Sequence, residues 1–145
     1  MRWIEMALII SISLTSLFGF SGCATLKTSE SGNGNGENII AQEIAKRKQQ
    51  YINDKEAIRA EISHTDDLIK QIQGFNQQLQ TGTQINRATA EQGLAKLIRE
   101  IKISEQLHQY YRQRSNISEL TLWKAKLEKL KQEKYELESL ISKLN

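Results

Sequence analysis

Apolar residues fall along this chain in three regimes. Residues 6–20 are almost unbroken apolar or small, with Ala7, Leu8, Ile9, Ile10, Ile12, Leu14, Leu17 and Phe18 in one run. Residues 25–38 have no apolar period and are rich in Ser, Gly and Asn, the composition of a flexible linker. From Ile39 the pattern becomes heptad-like: Ile44, Tyr51, Ile58, Thr65, Ile72 and Leu79 stand seven apart, with Ala41, Lys48, Lys55, Ile62, Ile69 and Asn76 as the companion row. Both rows lie on one helix face, which predicts a single helix over 39–80, about 60 Å long at a rise of about 1.5 Å per residue. Lys48, Lys55 and Asn76 interrupt the seam, so this part is expected either to pack loosely or to let its lysines lay their methylenes on apolar surface and carry the charge outward.

The stretch Thr81-Gly82-Thr83-Gln84 stops this helix, glycine being a favoured C-terminal stop. Thr81 with Gln84 and Thr89 with Gln92 both have capping-box spacing, so the second helix starts between Gln84 and Ala90 and is taken as 85–113. Its predicted face is Ala90, Leu94, Leu97, Ile101, Ser104, His108 and Tyr111, widened by Ile98 and Leu107. The phase is lost between Arg112 and Ser115. Ser115 or Asn116 then caps a third helix over 116–144, Asn116 having Glu119 at the box spacing, with a kinked continuation as the alternative. The third helix has the cleanest rows: Leu120, Leu127, Lys134 and Ile141 beside Trp123, Leu130, Leu137 and Leu144, opposite a face of mixed charge. The expected fold is all-α, with long amphipathic helices forming an antiparallel coiled-coil-like hairpin or three-helix bundle after a flexible tether.

Composition fits this picture. The 145 residues include no Pro and only three Phe, so apolar groups are used in stripes, and the formal charge of +3 comes from 20 basic and 17 acidic residues spread along the chain. Nothing in that distribution forms the basic patch a nucleic-acid partner needs. The single cysteine, Cys23, excludes an internal disulfide framework and a cysteine-based zinc site.

The position of that cysteine carries the strongest functional signal. An apolar run of about 15 residues is shorter than the about 20 a spanning helix requires, and behind Arg2 it reads as the core of a secretory signal. It ends in Phe20-Ser21-Gly22-Cys23, which resembles the lipobox of bacterial prolipoproteins, with Phe20 standing where Leu is usual. The resemblance covers the leader alone. It implies diacylglycerol transfer to the Cys23 sulfur, cleavage between Gly22 and Cys23, and a further N-acyl chain on the freed amine. The other reading of these residues is an uncleaved signal anchor with an incidental cysteine. Two or three acyl chains, at about 0.8 kcal/mol per buried methylene, make a stable anchor. Ala24 stands where an Asp would favour inner-membrane retention in enteric bacteria, which directs the expectation to the outer membrane, facing the periplasm. The chain is thus divided into a signal peptide (1–22), an acylated Cys with its linker (23–38), and a helical domain (39–145). Over about 15 residues the linker has a root-mean-square reach of roughly 20 Å.

Candidate chemistry is sparse. His64 and Asp67 are three apart on a helix and would share a cation only if another chain completed the ligand set; the plainer reading is a solvated helical turn with Asp66 paired to Lys70. His108 is expected as a tolerated seam residue. The segment His108-Gln109-Tyr110-Tyr111-Arg112-Gln113-Arg114 interleaves aromatics with bases, but cations at a helix C-terminus already complement its dipole. Trp123 fits the seam better than a contact surface. The expectation is a non-enzyme with no metal, no small-molecule substrate and no cofactor beyond the covalent lipid. It would act as an anchored interaction or scaffold module of the envelope, accessory or pilotin-like, whose partners are membrane lipid and another envelope protein or a second copy.

The residues expected to make helix or partner contacts are Ile58, Ile62, Ile69, Ile72, Leu94, Leu97, Ile101, Leu120, Trp123, Leu127, Leu130, Leu137, Ile141 and Leu144, with the Gln-rich stretch 71–84 as a second surface. A self-associating spacer between membrane and cell wall is the alternative. Lipid anchor plus heptads is similar in outline to the murein lipoprotein, but this chain ends in Leu144-Asn145 and lacks the C-terminal Lys of wall attachment.

Overall fold

The structure, a computed structural model, describes residues 32–144, with side chains from Asn35 onward. Four helices account for nearly all of it: α1 (Gly32–Gln50), α2 (Asp54–Gln80), α3 (Arg87–Arg114) and α4 (Glu119–Ser142). There is no strand among the described residues, and the all-α class follows directly.

The helix expected over 39–80 is two helices. The chain leaves the helical path at 51–53, where Asn53 is extended (φ −133°, ψ 154°) and its Oδ1 accepts the Glu56 N–H at 2.9 Å, capping α2. Neither Gly nor Pro stands at 51–53, so the break has a tertiary cause. Reversal there carries α1 back along α2, buries Ile44, and brings Arg47, seven residues before Asp54, to Glu61, seven residues after it. The expected linker 23–38 is corrected as well, because α1 already includes 32–38, although Asn35 to Asn38 are exposed. Residues 23–31 lie outside the described residues.

The second connection follows from its residues. Gly82 has φ +76°, a left-handed conformation that glycine adopts without a Cβ clash, and its N–H reaches the Leu79 carbonyl. α3 then starts at Arg87, two residues beyond the expected 85, because Asn86 is the cap: its Oδ1 accepts the Thr89 N–H at 2.7 Å. Asn86→Ala is therefore expected to lower unfolding stability by about 1 kcal/mol, read as a shift of the urea midpoint at constant m-value. An unchanged midpoint would remove the cap from the account.

The third connection is a turn and not a kinked continuation. α4 begins at Glu119 instead of 116, with Ser118 before it and no side-chain cap, and neither Ser115 nor Asn116 caps. Ser115 Oγ instead donates to Asp54 Oδ2 at 2.6 Å, and Arg59 pairs with Glu119. These bonds tie the 115–118 turn to the 51–53 corner, so both lie at one end of the molecule.

Two clusters form the core. Near the 81–86 turn, Leu68, Ile69, Ile72 and Phe75 of α2 meet Ala90, Leu97 and Ile101 of α3 and Leu130, Leu137 and Ile141 of α4, with Leu94 and Leu144 partly buried at the margin. At the opposite end α1 joins: Ile44 packs with Ala57, Ile58, Ile103, Leu107, Tyr111, Leu120, Trp123 and Leu127, and Ile62 lies against this cluster. The expected α3 face is right except at Ile98, which is 45% exposed. The stripe does widen at Leu107, as expected, and on that side takes in Ile103 as well, where α1 joins the cluster.

Candidate functional site

Gly22 and Cys23, the expected cleavage and lipidation residues, lie outside the described residues. The expected seam is inside the chain: eleven of its fourteen residues are fully buried and Ile62, Leu94 and Leu144 partly so. Its apolar groups are therefore matched to one another within a single copy. The Gln-rich stretch is also engaged internally. Gln73 Nε2 donates to Glu133 at 2.8 Å, Asn76 Nδ2 to the Glu133 carbonyl at 3.1 Å, and Gln80 Nε2 to Glu136 at 2.5 Å, so α2 is zipped to the acidic edge of α4.

The two histidines have structural partners. His108 Nε2 donates to the Leu120 carbonyl at 2.9 Å and sets its ring edge against Trp123 at 5.3 Å, which fixes the start of α4 on α3. Asp66 pairs with Lys126 across the α2–α4 contact and not with Lys70. His64 turns to Glu100, and among the described residues no group of three or more His, Cys, Asp or Glu could hold a metal ion. In the basic-aromatic segment, Arg114 pairs with Asp54 at 3.5 Å, and Lys48 of α1 sits 3.9 Å over the Tyr110 ring. That contact is how one seam lysine is accommodated; Lys134 is the other kind, pairing with Glu138 at 3.1 Å.

The feature the sequence reading missed is a charge cluster where α1, α2 and α3 meet. Arg47 of α1 spreads its guanidinium over three carboxylates: Nε to Glu43 at 2.9 Å, Nη1 to Glu61 at 3.4 Å, and Nη2 to Glu100 at 2.9 Å. His64 Nε2 lies 3.1 Å from the same Glu100 oxygen. Glu61 is only 6% exposed, and burial pushes its carboxyl above the ordinary range, against the pull of Arg47 and His64. Burial acts on Glu100 in the same direction, but the bonds from His64 and Arg47 overcome it and hold this carboxyl down at about 2. Burial also works against the charge on Arg47, and its bonds to Glu100 and Glu43 hold the guanidinium charged. One planar cation thus fastens α1 to two helices, a task that suits the fork geometry of Arg and not the point charge of Lys.

The periodic signal for this cluster is a third row. Ile40, Arg47, Asp54, Glu61, Leu68 and Phe75 are spaced by seven, flanking the first row, and α1 and α2 use them on a stripe wider than a two-row seam. Chemically the cluster is a fastening, in which three carboxylates share one guanidinium and His64 adds a second bond to Glu100. No helix among the described residues is long and apolar enough to cross a membrane. Comparison with known protein families, with curated proteins and with solved structures finds nothing that matches this chain.

Proposed function

We propose that this protein is a lipid-anchored interaction or scaffold module of a bacterial envelope, acylated at Cys23, held at the periplasmic face of the outer membrane, with no catalytic role. The observation that carries the reading is the coincidence of the lone cysteine with the lipobox position, upstream of a domain whose apolar surface is used in helix packing. Within that reading, α2, α3 and α4 form an antiparallel three-helix bundle, supported by their two short connections and shared cores, and α1 is an arm folded back on it. Because the seam is occupied within the chain, another envelope protein would meet the polar outer faces of the helices. An accessory or pilotin-like subunit of an envelope machine fits such a module.

Mass spectrometry of the full-length protein made in a bacterium, beside Cys23→Ala, tests the anchor. The expected product begins at Cys23 and carries diacylglycerol with a further acyl chain, and the variant carries neither. A product retaining Met1 without lipid would overturn the proposal and make the leader an uncleaved anchor.

A further inference from the structure

The corner at 51–53 joins two helices whose heptad row does not notice it. Ile44, Tyr51, Ile58 and Thr65 keep the spacing of seven through the break, no Gly or Pro stands in the three linking residues, and Ile52 at its apex is 100% exposed. The sequence of 39–80 is as compatible with one helix, about 60 Å long, as with two. What selects the bent form is the seat that α1 finds downstream. Its floor is Ala57 and Ile58 of α2 with Ile103, Leu107 and Tyr111 of α3, and its rim is Glu61 and Glu100, which Arg47 clasps.

Every one of these groups lies beyond the hinge, so a second copy of the chain offers an identical seat. We propose that α1 is exchanged between two copies: the hinge straightens, α1 and α2 become continuous, and each α1 docks in the α2–α3 groove of the other chain. Arg47 of one copy then pairs with Glu61 and Glu100 of its partner and the reverse, a closed two-fold arrangement in which the contacts of the folded-back arm are all remade. The two forms differ in the hinge alone, and concentration decides between them. The exchange gives a structural route to the self-associating reading of this protein and does not depend on the lipid anchor.

Asn53 sets the balance, because its cap bond to Glu56 exists only when the helix is broken. Full-length protein in a Cys23→Ser background, followed by sedimentation equilibrium, is expected to show a reversible step to twice its 16.6 kDa. Ile52→Ala with Asn53→Ala, which favours the straight helix in both chains, should strengthen dimerisation on the order of tenfold or more. Ile52→Gly with Asn53→Gly should weaken it by a similar factor. Exchange is distinguished from simple association by Lys48→Cys with Tyr110→Cys, bridged by a short bismaleimide: exchanged dimers give cross-links between chains, folded-back monomers within one. A monomer throughout, in the parent and in the alanine variant alike, overturns the inference. So do dimers that cross-link only within each chain. Neither result touches the lipid reading, which the mass of the N-terminal peptide decides separately.

Discussion

Trp123→Ala is expected to cost about 3–5 kcal/mol of unfolding stability, a large share of the about 5–15 kcal/mol that holds a domain of this kind together. Trp123 has no exposed surface and is the largest side chain in the cluster where all four helices meet. Its ring touches α3 through His108 and Tyr111, at centroid distances of 5.3 and 6.4 Å, and its Nε1–H donates to Ser104 Oγ at 3.1 Å. Truncation removes the packing, leaves a cavity that three helices cannot easily close, and strands the Ser104 hydroxyl. Trp123→Phe separates these losses: the ring volume is mostly kept, but Ser104 loses its donor while still buried, which should cost about 1–3 kcal/mol. Leu122→Ala, one residue earlier and half exposed, should stay within about 0.5 kcal/mol of the parent. Urea unfolding of the three variants gives the order directly. A Trp123→Ala protein no weaker than Leu122→Ala would mean that the four-helix cluster does not hold this end of the molecule.

The same cluster shows what sequence periodicity can and cannot resolve. α4 was legible almost to the residue, since Leu120, Trp123, Leu127, Leu130, Leu137 and Ile141 face one side only and all of them are buried. A helix that touches its neighbours along a single stripe advertises that stripe. α2 and α3 touch neighbours on two stripes at the α1 end, and the second consists of small, charged or off-row groups: Ala57, Glu61, Glu100, Ile103. A two-row seam therefore gives Ile103 no role and leaves Glu61 as a surface charge.

The corner at 51–53 escaped for the opposite reason. Local signals there favour continuation, and only the fold-back contacts of Ile44 and Arg47, which involve residues up to 53 positions away, decide for a break. Asn53 was the one local hint, a good cap in a stretch otherwise free of stop signals. The starts at Arg87 and Glu119 lie two and three residues beyond those expected and change nothing in the core. The two kinds of site differ again: the resemblance to a lipobox at Cys23 is local and compact and so rests on sequence alone, whereas the Arg47 cluster draws on three helices and appears only when they are assembled.

That assembly makes Arg47→Ala the most informative change in the fastening of α1. The variant leaves Glu61 buried without its cation and Glu100 with His64 alone, a loss on the order of 2–5 kcal/mol for a partly buried charged network. Beyond these bonds α1 is held by buried Ile44, partly buried Ile40 and Lys48 over the Tyr110 ring, hence the loss should appear as release of the arm and not as global unfolding. Amide exchange should lose its protection over 40–50 while α2, α3 and α4 near the 81–86 turn keep theirs. Arg47→Lys should rescue little, because one ammonium cannot serve Glu43, Glu61 and Glu100 together. Glu61→Gln added to Arg47→Ala should recover part of the protection by removing the uncompensated charge.

The pH response gives the sharper test, since the two carboxylates pull in opposite directions. Glu100, held at about 2 against an ordinary value of 4.5 by His64 and by Arg47, stabilises the assembled cluster above pH 4.5, and this contribution, of which the Arg47 share belongs to the docked arm, is withdrawn as pH falls from 4.5 towards 2. Glu61 has a raised pKa, so its cost sets in as pH rises from 4.5 through that higher value. In the parent, Arg47 works against this cost without cancelling it, so protection of α1 should rise slightly as pH falls from 7 towards 4.5 and then fall below 4.5. In Arg47→Ala the offset is gone, the Glu61 carboxyl rises further, and the same mild acidification should partly restore protection by neutralising it. A distinctly steeper gain of protection on mild acidification in the variant than in the parent would tie the docking of α1 to this one guanidinium. Equal slopes would mean that Ile44 and its apolar neighbours hold the arm and the cluster merely accompanies them.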